Sequence, residues 1–98
     1  MATAVAFGTA NEAGTALIEW WPWAPAVITG YIIAGVESPG QYTAEFLVAG
    51  QLLDAQQVTG NAASNGDSYR VRQGEPAQWR FRGLTPGSAI HVRYVFTQ

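Results

Sequence analysis

The chain has 98 residues, no cysteine and a formal net charge of −2, and only 12% of its residues are charged. This length predicts a single domain over residues 1–98. The lack of cysteine excludes disulfides and thiolate metal sites, and the acidic balance argues against a general nucleic-acid binder. An average soluble domain has about twice this share of charged residues, so the surface is of a kind that a partner often covers.

The five basic residues are all arginines, and they lie between Arg70 and Arg93. Arginine in place of lysine is typical of protein interfaces, although a bias in genome composition explains the lysine deficit equally well. The sequence has no signal-peptide pattern and no apolar run long enough to cross a bilayer. We therefore expect no membrane partner, and a protein made and kept in a cytoplasm or released from one by lysis.

The first half of the chain predicts four strands, because apolar residues alternate with polar or small ones between turn signals. They cover residues 3–7, 16–21, 27–36 and 42–48. Helix is not excluded for the first of them. In the second strand Glu19 should face water, which places Ile18 and Trp20 on the inner face.

The third predicted strand carries two glycines, Gly30 and Gly35, as candidate bulge positions. Tyr31 lies on one of its predicted faces and Ile32 on the other. A Glu-Ser-Pro-Gly turn over residues 37–40 should end the strand.

The second half of the chain is less regular at its start. Gln51–Val58 predicts either a strand or a single helical turn, and Gly60–Asp67 predicts a flexible loop. Tyr69–Arg72 and Trp79–Arg82 alternate clearly and predict a hairpin, and a last strand covers Ile90–Phe96. Roughly seven or eight short strands without an amphipathic helix predict an all-β antiparallel sandwich or barrel.

The inward-facing apolar positions predict one core between two sheets. Its expected members are Ile18, Trp20, Tyr31, Phe46, Val71, Phe81, Val92 and Tyr94. Without disulfides, this core or an oligomer interface must supply the stability.

Three segments resemble a fibronectin type III domain, which is an immunoglobulin-like sandwich. They are Trp20-Trp21 with a Pro-containing loop into Ile28-Thr29-Gly30-Tyr31, the strand Gln41–Val48 after Ser38-Pro39-Gly40, and Trp79–Val92 with its Leu84-x-Pro86-Gly87 corner. Together they cover about half of the chain. The resemblance implies a fibronectin type III-like antiparallel β-sandwich.

The chain departs from that family in two ways. Ile90 stands where the family usually has a tyrosine whose hydroxyl ties the corner to nearby backbone. The family's sandwich also has one more strand after the equivalent of Ile90–Phe96, whereas this chain stops at Gln98. Residues 51–73 exceed the matching part of the family and could hold an additional strand or hairpin.

A final strand without its usual neighbour presents unpaired backbone N–H and C=O groups, which recruit other strands. Arg93 is the only formal charge on Ile90–Phe96. Thr3–Phe7 could fold back onto this edge, or another subunit could add to it. We favour the second, which predicts an obligate oligomer or a piece of a larger shell.

Catalytic and cofactor chemistry is not expected. The single histidine, His91, lies on a predicted strand with no carboxylate near it in sequence to orient it. One histidine and seven dispersed acidic residues do not supply a metal site. The common nucleotide-binding and hydrolase motifs are absent. We therefore expect no catalytic residue, no metal site, no cofactor and no enzyme activity.

The Trp20-Trp21-Pro22-Trp23 cluster is the most unusual local feature. Alternation sends neighbouring residues to opposite faces, so Trp20 is assigned to the core and Trp21 or Trp23 to the surface. An exposed indole can stack on a sugar ring, a proline or a partner's arginine. It can also cap the end of the sandwich over Pro25. We favour this cap or a protein anchor over a glycan platform.

The predicted hairpin places four arginines on one face: Arg70, Arg72, Arg80 and Arg82. Like charges across a ladder are destabilising by up to roughly 1 kcal/mol per pair. Carboxylates of a neighbouring chain, a phosphate backbone or solvation of splayed guanidinium groups would offset this cost. We assign these arginines, with Trp21 and Trp23, to a protein interface. Nucleic acid is not the expected partner, because the domain is acidic overall.

Two classes of function remain. The first is a non-enzymatic assembly module that binds copies of itself or a larger viral protein scaffold. A small, cysteine-free immunoglobulin-like domain resembles bacteriophage accessory proteins such as capsid decoration, cement or tail components, which implies location in a virion made in a host cytoplasm. The alternative is a carbohydrate- or receptor-binding module that uses the Trp20–Trp23 cluster.

Overall fold

The structure is a computed structural model that describes residues 1–34, 41–59 and 63–98. These residues form nine β-strands and no helix. The strands are β1 (Ala2–Thr9), β2 (Ala16–Trp20), β3 (Ala26–Ala34), β4 (Gln41–Val48), β5 (Gln51–Thr59), β6 (Ala63–Asn65), β7 (Tyr69–Val71), β8 (Ala77–Arg82) and β9 (Ala89–Thr97). The predicted bulge at Gly35 and the turn at residues 37–40 lie outside the described residues.

Nested antiparallel hairpins account for how the strands pair. β4 pairs with β5, β3 with both β6 and β7, β2 with β8, and β1 with β9. Two further pairings, β3 with β9 and β4 with β8, join these nested strand pairs into two sheets. The first sheet has the order β1-β9-β3-β6, with β7 also on β3, and the second has the order β2-β8-β4-β5. The predicted all-β antiparallel sandwich is confirmed.

The strand order differs from the one that the fibronectin type III resemblance implied. In an immunoglobulin-type sandwich the first two strands are neighbours in one sheet, whereas β1 and β2 here belong to different sheets. The nested pairing is that of a jelly roll. The fibronectin type III-like order is therefore wrong, because short strands and Pro-Gly corners are local signals that do not specify which strands pair.

The core lies between the two sheets, where the alternation of apolar residues placed it. Seven of the eight expected members are buried, and Trp20 is half-buried against Tyr94 and Phe96, at ring-centroid distances of 5.2 and 4.8 Å. Trp79 is the centre of the aromatic cluster, 5.1 Å from both Phe46 and Tyr94. The alternation within each strand therefore predicted the faces correctly.

The middle of the chain resolves the alternatives left open by the sequence. The segment Gln51–Val58 is part of strand β5 rather than a helical turn. Within the predicted loop Gly60–Asp67, residues 63–65 form strand β6 along β3. Gly30 takes a φ of 135° at a register shift between β3 and β9, which confirms the predicted bulge.

The last strand has a neighbour on each side. β9 pairs with β1 from Ala2↔Phe96 to Thr9↔Ala89 and with β3 on its other side. The first segment of the chain therefore folds back onto this edge. The favoured expectation that another subunit occupies it is wrong, because β1 within the same chain already satisfies its backbone groups.

Backbone hydrogen bonds tie the Pro-Gly corner to the connection between β1 and β2. The Leu84 N–H donates to the Gly14 carbonyl at 3.0 Å, and the Gly87 N–H donates to the Ala10 carbonyl at 2.9 Å. The Ala10 N–H in turn donates to the Ser88 carbonyl at 2.9 Å. The corner that lacks a tyrosine at Ile90 is thus held by main-chain groups.

Candidate functional site

The outer face of the first sheet carries exposed apolar side chains. Alternation directs the odd-numbered residues of β1 outward, and they include Val5, which is 43% exposed, and Phe7, which is 76% exposed. Ile32 on β3 points to the same side and is 47% exposed. Val95 and Ala34, which are half-buried, complete the set that we call the apolar face.

Strand register spreads the apolar face over three strands, with Arg93 and His91 of β9 between its members on β1 and β3. Val5 lies opposite Arg93 on β9, and Arg93 lies opposite Ile32 on β3. Phe7 lies opposite His91, and their rings pack with centroids 5.7 Å apart. The structure thus places the only histidine against an exposed aromatic ring on the sheet surface.

A shallow groove opens on the same face where the β3 bulge separates β9 from β6. Its volume is about 260 Å³, and its lining includes Ile32, Arg93, Val95 and Asn65. A Cβ on Gly30 would lie 3.3 Å from the Asn65 carbonyl oxygen, so the bulge brings the two backbones close together. The groove is a shallow depression in the outer surface of the first sheet.

The four arginines assigned to an interface do not share a face. β7 pairs with β3 in the first sheet, while β8 lies between β2 and β4 in the second. The predicted hairpin between β7 and β8 is therefore wrong. It rested on adjacency in the sequence, and the chain instead crosses from one sheet to the other between these strands.

Arg80 and Arg82 lie on the outer face of the second sheet, where one carboxylate of the same chain forms ion pairs with both. Glu45 Oε1 is 3.0 Å from Arg80 Nε and 3.5 Å from Arg82 Nε. The hydrogen bond from Arg80 holds the pKa of Glu45 below its ordinary value, with the charge of Arg82 adding to the effect. Glu45 thus offsets the like charges of Arg80 and Arg82 within the chain.

Arg70 and Arg72 lie at one end of the sandwich beside a larger groove of about 860 Å³. The groove lining also includes Glu75, Gln51 and Pro25. It combines charged and polar side chains with apolar ones, as an open end between two sheets does when loops surround it.

Trp21 and Trp23 lie on the connection between β2 and β3, at 57% and 77% exposure. Both indoles are therefore on the surface, as predicted for at least one of them. Trp23 is two residues before Pro25, which lines the end groove, so their Cα atoms are within about 7 Å of each other. At 77% exposure, Trp23 buries little surface as a cap.

A half-buried polar cluster joins the two sheets near β5 and β6. Asp54 Oδ2 accepts hydrogen bonds from Tyr31 Oη at 3.0 Å, Asn65 Nδ2 at 2.8 Å and Gln56 Nε2 at 3.2 Å. Asn65 Nδ2 also donates to Tyr69 Oη at 2.8 Å. We call these five side chains the Asp54 cluster.

The Asp54 cluster shifts the ionisation of its members. Burial alone would raise the pKa of Asp54, but hydrogen bonds from Asn65, Gln56 and Tyr31 hold it below its ordinary value. Burial, together with the neighbouring carboxylate, raises the pKa of Tyr31 far above its usual range. Sequence patterns did not indicate this cluster, because Tyr31 lies 23 residues before Asp54 and Asn65 falls in a predicted loop.

The described part of the chain contains no group of three His, Asp or Glu side chains that could hold a metal ion. It also contains no helix able to span a membrane.

Comparisons with known proteins give structural likenesses of low similarity. No protein-family model matches the chain, and no curated protein is detectably similar to it. Among solved structures, the chain is similar to the insecticidal delta-endotoxin Cry8Ea1 from Bacillus thuringiensis, with a TM-score of 0.45 and 7% identity over 84% of this chain. The match spans 18% of that protein's length. A likeness at this level supports no functional assignment.

Proposed function

We propose that this protein is a non-enzymatic assembly module that binds copies of itself and, in its biological setting, a larger protein scaffold. The observation that supports the proposal is the apolar face, where Val5 and Phe7 on β1 and Ile32 on β3 are exposed on either side of β9. Large exposed apolar patches on soluble domains are typical of interaction sites. The low overall charge of the chain agrees with a surface that becomes covered.

The strength of such a contact can be bounded from burial. Fully burying a Val, Ile or Phe side chain stabilises by about 1.5–3 kcal/mol, so covering the exposed fractions of Val5, Phe7 and Ile32 contributes about 2.5–5 kcal/mol. Association costs at least about 4 kcal/mol in lost freedom. The apolar face alone therefore supports only a weak contact, and stable assembly needs additional surface or many copies acting together.

A virion is the setting that we propose, with the protein as a capsid decoration, cement or tail component made in a host cytoplasm. Because one contact through the apolar face is weak, stable binding would come from many such contacts repeated over a shell. Jelly-roll sandwiches are an architecture of viral capsid domains, which supports the setting by analogy of fold alone. Arg70 and Arg72, which lie apart from the apolar face, are proposed as polar contacts to the scaffold.

The second candidate is a carbohydrate- or receptor-binding module at the end of the sandwich. The observation that favours it is the pair of exposed indoles, Trp21 and Trp23, near a groove lined by Arg70, Arg72 and Glu75. Sugar sites combine an aromatic platform with converging polar groups. Glycan-array binding that is lost in Trp23→Ala but kept in Phe7→Ala would favour this candidate over assembly.

Sedimentation of the purified chain over a wide dilution series tests the assembly proposal. We expect the mass to rise above one chain with concentration, and Ile32→Lys to weaken this association by placing a charge in the apolar face. Leu17→Lys is the matched control, since Leu17 is similarly exposed at 48% but lies on the outer face of the second sheet. A monomer at every concentration, or equal effects of both variants, would contradict the proposal.

A further inference from the structure

The four edges of the two sheets differ in how they are protected against pairing with other chains. Among the described residues, the edge strands are β1 and β6/β7 in the first sheet and β2 and β5 in the second. Proteins protect exposed edges with short strands, charges, proline, bulges or inward-pointing charged residues. Comparing the edges therefore shows which of them is available to a partner.

Three of the edges carry such protection. β6 and β7 have three residues each and are separated by residues 66–68. β2 has five residues, one of them Glu19. β5 has a register shift opposite Phe46 and Leu47, and it carries the carboxylate of the Asp54 cluster.

β1 carries none of these features. Its eight residues, Ala-Thr-Ala-Val-Ala-Phe-Gly-Thr, include no charge and no proline, and its pairing with β9 is continuous from end to end. No strand in the described part of the chain pairs with its other side. It is thus a long, regular strand with an open row of backbone groups, and Val5 and Phe7 are exposed along it.

The backbone groups that face outward can be identified by alternation. The Ala10 N–H, just beyond β1, donates to Ser88 on the β9 side. Since successive residues of a strand direct their N–H and C=O groups to opposite sides, the even-numbered residues of β1 face β9. The odd-numbered residues Thr3, Val5 and Phe7 then direct both groups to the open edge.

We propose that β1 pairs with β1 of a second copy of this chain, antiparallel and about a two-fold axis. This inference rests on the proposed assembly function and identifies the first partner as an identical chain. The strand is self-complementary, because an antiparallel pair of identical strands brings outward odd-numbered groups to odd-numbered groups. The paired sheets are continuous, so the apolar faces of the two copies adjoin and double the surface available to a scaffold.

Alternation leaves two central registers for this pairing. In one, Val5 lies opposite Val5 of the second copy. In the other, Val5 lies opposite Phe7 of the second copy, which forms two aromatic–β-branched pairs across the axis. A one-residue slip from either would oppose outward side chains to inward ones and is excluded.

Proline substitution separates the contribution of the backbone N–H to dimerisation from that of the side chain. Val5→Pro removes an N–H that the chain's own ladder does not use, so the fold should remain intact. Val5→Ala, the matched control, keeps this N–H and removes most of the side chain. We expect Val5→Pro to weaken dimerisation roughly tenfold or more relative to Val5→Ala, since it removes edge hydrogen bonds. Intrinsic tryptophan fluorescence checks that both variants are folded.

The outcomes distinguish this inference from the proposed function. A wild-type chain that associates, with equal dimerisation in Val5→Pro and Val5→Ala, overturns the edge pairing and leaves assembly through the apolar face standing. A wild-type chain that stays monomeric overturns both.

Disulfide trapping tests the same geometry directly, since the chain has no native cysteine. Cα atoms in a directly opposed strand pair are close enough for a disulfide. Val5→Cys protein should form a disulfide dimer in the first register, and a mixture of Val5→Cys and Phe7→Cys proteins should form a mixed dimer in the second. Leu17→Cys is the control and should form no disulfide-linked dimer. No trapping at either position above that of the control would overturn the proposal.

Discussion

Two buried tyrosines offer a matched test of the hydrogen bonds that join the sheets. Tyr31 donates to the ionised Asp54 at 3.0 Å, whereas the Tyr42 hydroxyl is buried without a hydrogen-bond partner among the described residues. Both side chains are almost fully buried. Replacing each with phenylalanine removes one oxygen atom and leaves the ring in place, so any difference reports the hydroxyl environment.

The expected effects have opposite signs. A hydrogen bond to a charged group contributes about 1.5–3 kcal/mol, so Tyr31→Phe should lower the free energy of unfolding by roughly this amount. An unpaired buried hydroxyl is itself unfavourable, so Tyr42→Phe should be neutral or stabilise by up to about 1 kcal/mol. For a domain of this size, each kcal/mol shifts the melting temperature by about 4–8 °C.

Urea and thermal unfolding at neutral pH, followed by tryptophan fluorescence, measure both effects, because Trp79 is buried in the core. Equal losses in the two variants would refute the reasoning, since the loss would then not depend on whether the hydroxyl has a hydrogen-bond partner. A larger loss in Tyr42→Phe than in Tyr31→Phe would refute it as well.

Three further predictions follow from packing, charge and backbone geometry. Phe81→Ala should destabilise by about 3–5 kcal/mol in urea unfolding, because the ring is completely buried, and a loss below a tenth of that would contradict the assigned face. Because the pKa of Asp54 is lowered in the folded chain, its contribution to the free energy of unfolding is fully present above its ordinary pKa of 3.8 and is lost as pH falls through its pKa in the folded chain. The free energy of unfolding should therefore fall less steeply with decreasing pH in Asp54→Asn than in the wild-type chain. The same pH dependence in both would contradict this. Gly14→Ala should cost beyond about 3 kcal/mol, because a Cβ would overlap the Leu84 carbonyl oxygen at a φ of 76°, whereas Gly74→Ala, at a φ of 82° in open space, should cost only about 1 kcal/mol in the same urea assay.

Local patterns predicted the strands and their faces, while the pairing of strands depended on distant residues. Phe46 and Phe81 were assigned to the core from alternation alone, and both are buried. The bulge at Gly30 was also readable, because glycine within a strand marks positions where the backbone must deviate. These features depend on neighbours within a few positions along the chain.

The partners of β7 and β8 could not be inferred in this way. Neighbouring strands in sequence pair often, and this tendency suggested the hairpin that the structure lacks. Glu45, which forms ion pairs with Arg80 and Arg82, lies 35 residues before Arg80. The Asp54 cluster likewise joins residues as far apart as Tyr31 and Asn65, so no local pattern could predict either site.

The concern about an unprotected edge was correct in kind but assigned to the wrong strand. β9 was expected to form a sheet edge that another subunit occupies, and β1 of the same chain covers it. Adding β1 moves the open row of backbone groups to β1 itself, which has even less protection because it carries no charge. Folding a strand onto an open sheet edge transfers the edge rather than removing it, unless the sheet closes into a barrel.

The central claim is that another copy of the chain pairs with the first sheet at its β1 edge. Amide hydrogen exchange of β1, measured across a dilution series, tests it most directly. We predict that the Val5 and Phe7 amides exchange quickly in dilute monomer and become protected as concentration rises, while the Ala4 and Ala6 amides, which face β9, stay protected throughout. Fast exchange of Val5 and Phe7 at every concentration, with Ala4 and Ala6 protected, would contradict the account.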